Sequence, residues 1–137
     1  MAVIRELIRV EDDKTISFGN HLMETKKKVL DFEVDGDLYK VKTYNKITKL
    51  EKNGILLYES VPGTTVHYFN MNEKLVSFSV EGEEDAQITM ELEPEKDYKI
   101  FIENVQVGKV KSSLAGKVTF SVELNGREKD IKIEKLG

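Results

Sequence analysis

The segment with the most chemical potential runs from Ser60 to Phe69. It places hydroxyl groups, a Pro62–Gly63 turn and the imidazole of His67 within ten residues. A hydroxyl nucleophile needs a base beside it, and that base must be oriented by a third group. No G-x-S-x-G elbow or other ordered triad motif accompanies the segment. In a strand, Thr65, His67 and Phe69 would share one face, so we expect His67 to flank the sheet surface.

Paired carboxylates are a second source of chemistry, because glycoside hydrolysis uses two of them about 5 to 9 Å apart. The densest acidic run is Glu81 to Asp85, and Asp35 and Asp37 lie on either side of Gly36. The D-x-D-x-D-G spacing of a calcium loop is absent. We expect the Glu81 to Asp85 run to be a solvated hairpin tip, and we expect no metal site.

Exposed aromatic rings could bind sugars by stacking, and the chain has no tryptophan for this role. Tyr39, Tyr44, Tyr58 and Tyr68 are available, with Tyr44 near a predicted strand end. Tyrosines in strands more often lie at the edge of a core. We take Tyr44 and Tyr68, together with His67 from the segment described above, as the candidate ligand-binding residues. Neither glycine-rich phosphate-loop motif occurs, so no cofactor and no catalytic residue are assigned.

The charge balance bears on partners. The 137 residues include 21 basic and 25 acidic side chains, for a formal net charge of −4. This argues against nucleic acid or an anionic membrane as the partner, because both are held through clustered Lys and Arg. If Lys40 and Lys42 share an outer face they form a local positive strip, which usually serves solubility and protects sheet edges. The absence of cysteine removes thiol chemistry.

The amino-terminal residues 1–6 lack the layout of a signal peptide. No apolar run approaches the ~20 residues that a spanning helix needs. We therefore expect a cytoplasmic location.

Alternation of apolar and polar residues predicts an all-β protein with little helix. About a dozen short strands favour an antiparallel β-sandwich, jelly-roll-like, or a barrel. Asp35-Gly36, Asn53-Gly54 and Asn125-Gly126 each predict a two-residue hairpin turn. The segment 19–28 should be a loop or a single turn. The predicted inner-face residues are Val76, Phe78, Val80, Ile88, Met90, Leu92, Tyr98, Ile100, Ile102, Val118, Phe120 and Val122.

The predicted strands are Val3–Arg9, Thr15–Phe18, Lys28–Val34, Leu38–Tyr44, Ile47–Leu50, Ile55–Tyr58, Thr64–Phe69, Leu75–Val80, Ala86–Leu92, Tyr98–Ile102, Val105–Val110, Val118–Leu124 and Ile131–Ile133. We expect residues 1–137 to form one domain, with a weak subdivision near 93–95. There Pro94 could separate an N-terminal sheet layer from a C-terminal one.

Three stretches carry a resemblance to a known group of proteins: residues 31–44 (DFEVDGDLYKVKTY), 47–54 (ITKLEKNG) and 58–64 (YESVPGT). They resemble small bacterial proteins labelled endosialidase, over nearly the whole chain. The resemblance implies cleavage of polysialic acid or a relationship to a stalk, fibre or accessory β-module. Endosialidases grip the sialate carboxylate with arginines, and this chain has only Arg5, Arg9 and Arg127. No catalytic residue is therefore carried over.

The sequence thus favours a non-enzymatic, self-associating structural or interaction β-module. Many strands with several open edges motivate this interpretation, because edges must be paired, covered or charged. A homo-oligomer, with a trimer favoured, is the expected assembly. One alternative is a glycan-binding accessory module that uses its tyrosines. The second alternative is a small glycan hydrolase with an acid pair near His67.

Overall fold

The computed structural model describes residues 3–137, and within them every regular element is a strand. The thirteen strands are β1 (Ile8–Val10), β2 (Ile16–Phe18), β3 (Lys27–Val34), β4 (Asp37–Tyr44), β5 (Ile47–Lys52), β6 (Ile55–Val61), β7 (Thr65–Met71), β8 (Leu75–Glu81), β9 (Ala86–Glu91), β10 (Asp97–Ile102), β11 (Val105–Lys111), β12 (Lys117–Val122) and β13 (Glu128–Lys135). The predicted all-β fold is confirmed.

The strands form two antiparallel sheets that pack face to face as a sandwich. The seven-stranded sheet has the order β1-β2-β7-β8-β13-β10-β11, and the six-stranded sheet has the order β12-β9-β6-β5-β4-β3. The sheets do not close into a barrel, because β1 and β11, and β12 and β3, remain edge strands among the described residues. Of the two predicted architectures, the sandwich is therefore the one formed.

Two of the three Asx-Gly turns form the predicted hairpins. Asp35 and Gly36 join β3 to β4, and Asn53 and Gly54 join β5 to β6. All four residues have positive φ, between 50° and 87°. Such a turn matches the twist of the strands it joins, and glycine adopts it without steric cost.

The third hairpin prediction, at Asn125-Gly126, is wrong. The turn itself forms, with both residues at positive φ and the Arg127 N–H donating to the Leu124 carbonyl. However, β12 pairs with β9 in one sheet while β13 pairs with β8 and β10 in the other. Leu124 is buried in the core, so the chain turns from one layer to the other instead of folding back beside itself.

The first predicted strand, Val3–Arg9, is also wrong in its extent, because regular pairing begins only at Ile8. Leu7 has a φ of 71° and its N–H donates to the Ile4 carbonyl, which makes a turn where extended backbone was expected. The segment 19–26 has no helix and contains a turn, as predicted, whereas Lys27 and Lys28 already belong to β3.

The core lies between the sheets and is the one predicted from alternation. Nine of the twelve predicted inner-face residues are buried, and Leu92, Ile102 and Phe120 pack against the core while half-buried. Its aromatic centre has four rings that form five ring pairs at centroid distances of 5.4 to 6.5 Å, contributed by Phe18, Tyr58, Phe69 and Phe78.

Pro94 does not separate the two layers, because each sheet contains strands from both sides of it. The seven-stranded sheet combines β1, β2, β7 and β8 with β10, β11 and β13, and the six-stranded sheet recruits β12. Within residues 3–137, no helix has the length and apolar character that crossing a bilayer would require.

The chain passes from the six-stranded to the seven-stranded sheet at residues 62–64, and buried hydroxyl groups hold this crossover. The Thr64 hydroxyl hydrogen-bonds the Tyr58 hydroxyl at 2.7 Å and the Ser60 hydroxyl at 2.8 Å. The Thr48 hydroxyl donates to the Thr64 carbonyl at 2.7 Å and accepts from the Thr64 N–H at 3.1 Å. Burial raises the pKa of Tyr58, so its proton is retained for this network.

The network extends to a second loop. Thr48 has one hydroxyl proton, which goes to the Thr64 carbonyl, so Thr43 must donate in the 2.8 Å bond that joins Thr43 to Thr48. The Thr43 hydroxyl then accepts from the Asn20 N–H at 2.9 Å. The loop after β2 is thereby tied to the same crossover as β4 and β5.

Gly63 gives a direct test of this crossover. A Cβ built on Gly63 would lie 1.9 Å from the Tyr44 carbonyl oxygen, so backbone would have to move. We expect Gly63→Ala to lower the free energy of unfolding by at least about 2 kcal/mol, measured by urea denaturation. The matched control is Gly108→Ala, whose added Cβ meets no atom within 4 Å and which we expect to change stability by less than about 0.5 kcal/mol. Gly108 lies on the edge strand β11, so both variants are compared at a protein concentration low enough for the chain to be monomeric. Equal effects of the two substitutions would contradict a close-packed crossover.

Candidate functional site

The site centres on a bulge in β7. Between His67 and Asn70 this strand has one more residue than the facing part of β8, and Tyr68 has a φ of 56°. The extra residue breaks the alternation, so Phe69 enters the core while Tyr68 remains exposed. The prediction that Thr65, His67 and Phe69 share a face is therefore wrong for Phe69.

His67 forms a compact cluster with two glutamates from the neighbouring strands. Its Nε2 lies 3.1 Å from Glu81 Oε1, and one ligand atom from each of His67, Glu81 and Glu128 lies within 4.8 Å of the others. Glu81 is the register partner of both Thr65 on β7 and Glu128 on β13. Three adjacent strands thus present the cluster on the outward face of the seven-stranded sheet.

Burial of the cluster corrects two predictions. His67 was expected at the sheet surface, but it is 2% exposed. Glu81 was expected in a solvated tip and is buried, while Glu83 to Asp85 are exposed as predicted. Because Val66 and Val80 occupy the core face, their neighbours His67 and Glu81 must lie on the other face of the sheet, and both are buried there.

The third member of the cluster, Glu128, has a pKa that is shifted by its surroundings. Burial raises the pKa of the Glu128 carboxyl above its usual value, His67 opposes that rise and Glu81 adds to it. The surroundings therefore disfavour the negative charge of Glu128, and a cation beside the carboxylate would offset this cost. The imidazole and two carboxylates supply one nitrogen and two oxygen donors, a set that can hold a metal ion.

The second histidine of the chain lies next to this cluster. His21, in the loop after β2, has its Nδ1 2.7 Å from the Thr65 hydroxyl and its Nε2 3.8 Å from Glu83 Oε1. Burial lowers the pKa of His21, Glu81 and Glu83 oppose this, and His67 adds to it. Glu81 thus hydrogen-bonds His67 and also favours the protonated form of His21 electrostatically.

Thr65, His21 and Glu83 have the connectivity of a hydroxyl, a base and an acid. Their geometry does not suit nucleophilic catalysis, because Thr65 is fully buried and 3.8 Å is too long for a hydrogen bond between His21 and Glu83. The Thr65 hydroxyl also accepts from the His21 N–H at 3.4 Å. These contacts hold the loop onto the crossover.

Beside the cluster lies an open groove of about 270 Å³ bordered by Tyr68. The Tyr68 side chain is 47% exposed, and its ring centroid lies 6.4 Å from that of His67. Five polar residues line the groove together with Phe78 and Ile131: Ser77, Ser79, Asn104, Asp130 and Lys132. Ser79 donates to Asp130 at 2.6 Å, which leaves a second carboxylate oxygen for other contacts.

A series of hydrogen bonds through Ser17 and Glu11 holds the backbone of the bulge. The Tyr68 N–H donates to Ser17 Oγ at 3.1 Å, and Ser17 Oγ in turn donates to the Glu11 carboxylate. The bond from Ser17 lowers the pKa of Glu11, with Arg9 contributing in the same direction. The ionised Glu11 thus orients the serine that satisfies the Tyr68 backbone.

The remaining candidate residues lie elsewhere. Tyr44 ends β4 on the six-stranded sheet, is half-buried, and is not among the residues that line the Tyr68 groove. Lys40 and Lys42 do share an outer face, where they border a small depression together with Lys28 and Lys49. Burial and the neighbouring lysines lower the pKa of Lys42.

Sequence reasoning missed Glu128 as a partner of His67 and His21 as a neighbour of the cluster. Glu128 follows the Asn125-Gly126 turn, and the predicted hairpin there would pair β13 with β12 instead of β8. A usable signal was present, since the chain has only two histidines and several acidic residues directly flank predicted strands, as Glu81 follows Val80. Which of those ends meet depends on the order of strands, and alternation says nothing about it.

Comparisons with known proteins add no assignment. No protein-family model, no curated protein and no solved structure matches this chain. The resemblance to proteins labelled endosialidase stays a prediction.

His21 predicts a pH dependence of stability. Its pKa in the folded protein is below the ordinary value of 6.5, so the unfolded chain takes up the proton first as the pH falls. The stability from neutral His21 is present above pH 6.5 and is lost as the pH falls towards the lower folded pKa. We expect His21→Asn to lose less stability than the parent between pH 7.5 and pH 5, measured by urea unfolding at each pH. Parallel losses in the two proteins would contradict a buried neutral His21.

Proposed function

We propose that this chain is a non-enzymatic, self-associating structural β-module, and that a second copy binds at the β11 edge of the sandwich. The supporting observation is the exposure of apolar side chains there. Val105 and Val107 on β11 are 63% and 57% exposed. Large apolar side chains grouped on an edge strand favour association, because contact removes them from water.

The open end beside β11 has room for a partner. A groove of about 550 Å³ runs between β11 and β12, the edge strands of the two sheets. Val107, Val110 and Phe120 contribute apolar walls, and Glu103 and Lys129 lie at the rim. An apolar centre with charged surroundings is the usual composition of a protein interface.

Self-pairing of β11 is compatible with its charges. In regular register, an antiparallel pair centred on Gly108 places Lys109 of each copy opposite Val107 of the other, and Lys111 opposite Val105. In its pairing with β10, β11 has one extra residue at Val107, and the contact between copies must accommodate this bulge. Like charges then do not face each other directly, which avoids a repulsive cross-strand pair. Such a contact is two-fold symmetric, so one patch serves both copies. The two-fold contact favours an even number of subunits over the trimer expected from the sequence.

The double variant Val105→Lys/Val107→Lys tests this interface. Both residues are largely exposed, so we expect folding to be retained while the oligomer dissociates to 15.7 kDa monomers, measured by light scattering after size exclusion across concentrations. The matched control is Leu30→Lys on the opposite edge strand β3, where the leucine is 58% exposed. A parent protein that is monomeric throughout, or an oligomer that only Leu30→Lys disrupts, would contradict the proposal.

A second candidate function, glycan binding, is supported by the Tyr68 groove. Tyr39, Tyr58 and Tyr98 are buried and Tyr44 is half-buried, so Tyr68 is the most exposed tyrosine among the described residues. An exposed ring beside hydroxyl, amide and carboxylate groups can stack on a sugar face and hydrogen-bond its hydroxyls. Neither Glu81 nor Glu128 borders this groove, which favours binding over hydrolysis.

Glycan binding makes its own prediction. On a panel that includes sialylated polymers, we expect Tyr68→Ala to weaken binding at least tenfold, measured by NMR titration of the best ligand. Tyr44→Ala, on the other sheet, should leave the affinity unchanged. No binding by the parent protein, or equal loss in the two variants, would remove this candidate.

The cytoplasmic location expected from the sequence also stays a prediction.

A further inference from the structure

The cluster of His67, Glu81 and Glu128 has a donor spacing close to that of a metal site. Transition ions bind imidazole nitrogen and carboxylate oxygen at about 2.0 to 2.2 Å, so neighbouring donors lie about 3 to 4 Å apart. His67 Nε2 and Glu81 Oε1 are already 3.1 Å apart, and all three ligand atoms lie within 4.8 Å of one another. A small rotation of the Glu128 side chain would complete this spacing.

The backbone holds the three donors independently of any ligand. They lie on β7, β8 and β13, which are adjacent in one sheet, and Glu81 and Glu128 are direct register partners. Donors on paired strands are positioned more tightly than donors on loops. Two acidic side chains directly opposite each other, beside a buried imidazole, gain most from a cation placed between them.

The donor types indicate the class of ion. Magnesium and calcium prefer all-oxygen sites, whereas one imidazole and two carboxylates suit zinc, manganese or iron in the divalent state. Three protein donors leave at least one coordination position for water or another ligand. Glu128 is half-buried, which gives the ion a route from solvent.

We propose that His67, Glu81 and Glu128 bind one divalent first-row transition ion, with His67 Nε2 as the nitrogen donor. The site is separate from the β11 edge, so the metal proposal does not depend on self-association. His21 is not a donor: its Nδ1 is engaged with Thr65, and its Nε2 faces the exposed Glu83. The ion would join three strands of the sheet at His67, the residue next to the Tyr68 bulge.

Calorimetric titration of the chelator-treated protein with Zn²⁺, Mn²⁺ and Mg²⁺ at pH 7.5 tests the proposal. We expect one Zn²⁺ or Mn²⁺ per chain and no binding of Mg²⁺ at the same concentrations. At one hundred times its Kd, the ion should raise the Tm by about 10 °C. Glu128→Gln should weaken binding at least tenfold, whereas Glu83→Gln, an exposed glutamate beside His21, should not.

Nitrogen NMR of the two histidines gives a readout that does not require a variant. The proposal expects the Nε2 resonance of His67 to shift on binding of diamagnetic Zn²⁺, with His21 less affected. Three outcomes would overturn it: no stoichiometric binding below about 1 mM, binding that Glu83→Gln abolishes while Glu128→Gln does not, or a coordination shift at His21 alone. The second and third outcomes would assign the ion to His21 and Glu83 instead.

Discussion

The buried hydroxyl network around Thr64 is the constraint on which the rest of this structure depends. At this residue the chain leaves the six-stranded sheet and enters the seven-stranded sheet, and its backbone must do so inside the core. Thr48 satisfies both the N–H and the carbonyl of Thr64, while Tyr58 and Ser60 bond its hydroxyl. No buried side-chain nitrogen or oxygen in residues 3–137 lacks a hydrogen-bond partner. Unpaired polar groups at such a depth would cost far more than these bonds contribute individually.

The crossover also determines where the candidate site can form. Thr65 follows immediately, anchors His21 through its hydroxyl, and sets the register that places His67 two residues later on the outward face. The bulge at Tyr68 then returns Phe69 to the aromatic core and leaves the tyrosine exposed. Packing and site geometry are therefore consequences of the same few residues. The ten-residue segment that first suggested chemistry is mostly structural, and its histidine is the part that reaches other donors.

Local sequence signals predicted much of the architecture because they act over two to eight residues. Alternation identified the strands and most of the core, and glycine at positive φ marked the hairpins at Gly36 and Gly54. The same turn signal misled at Gly126, since a turn reports a change of direction and not the partner of the strand that follows. Alternation likewise misplaced Phe69, because a bulge shifts the pattern by one residue without an obvious sequence mark.

The sequence by itself determined an all-β chain of alternating strands, the identity of most core residues, and the lack of recognisable catalytic motifs. Only the tertiary structure decided that β8 lies between β7 and β13, and hence that His67, Glu81 and Glu128 meet. The physical reason is that strand order depends on many weak, non-local contacts summed over both sheets. His67 and Glu81 are 14 positions apart in the chain, and Glu81 and Glu128 are 47 positions apart. These residues become neighbours only through the sum of those contacts, which no local pattern encodes.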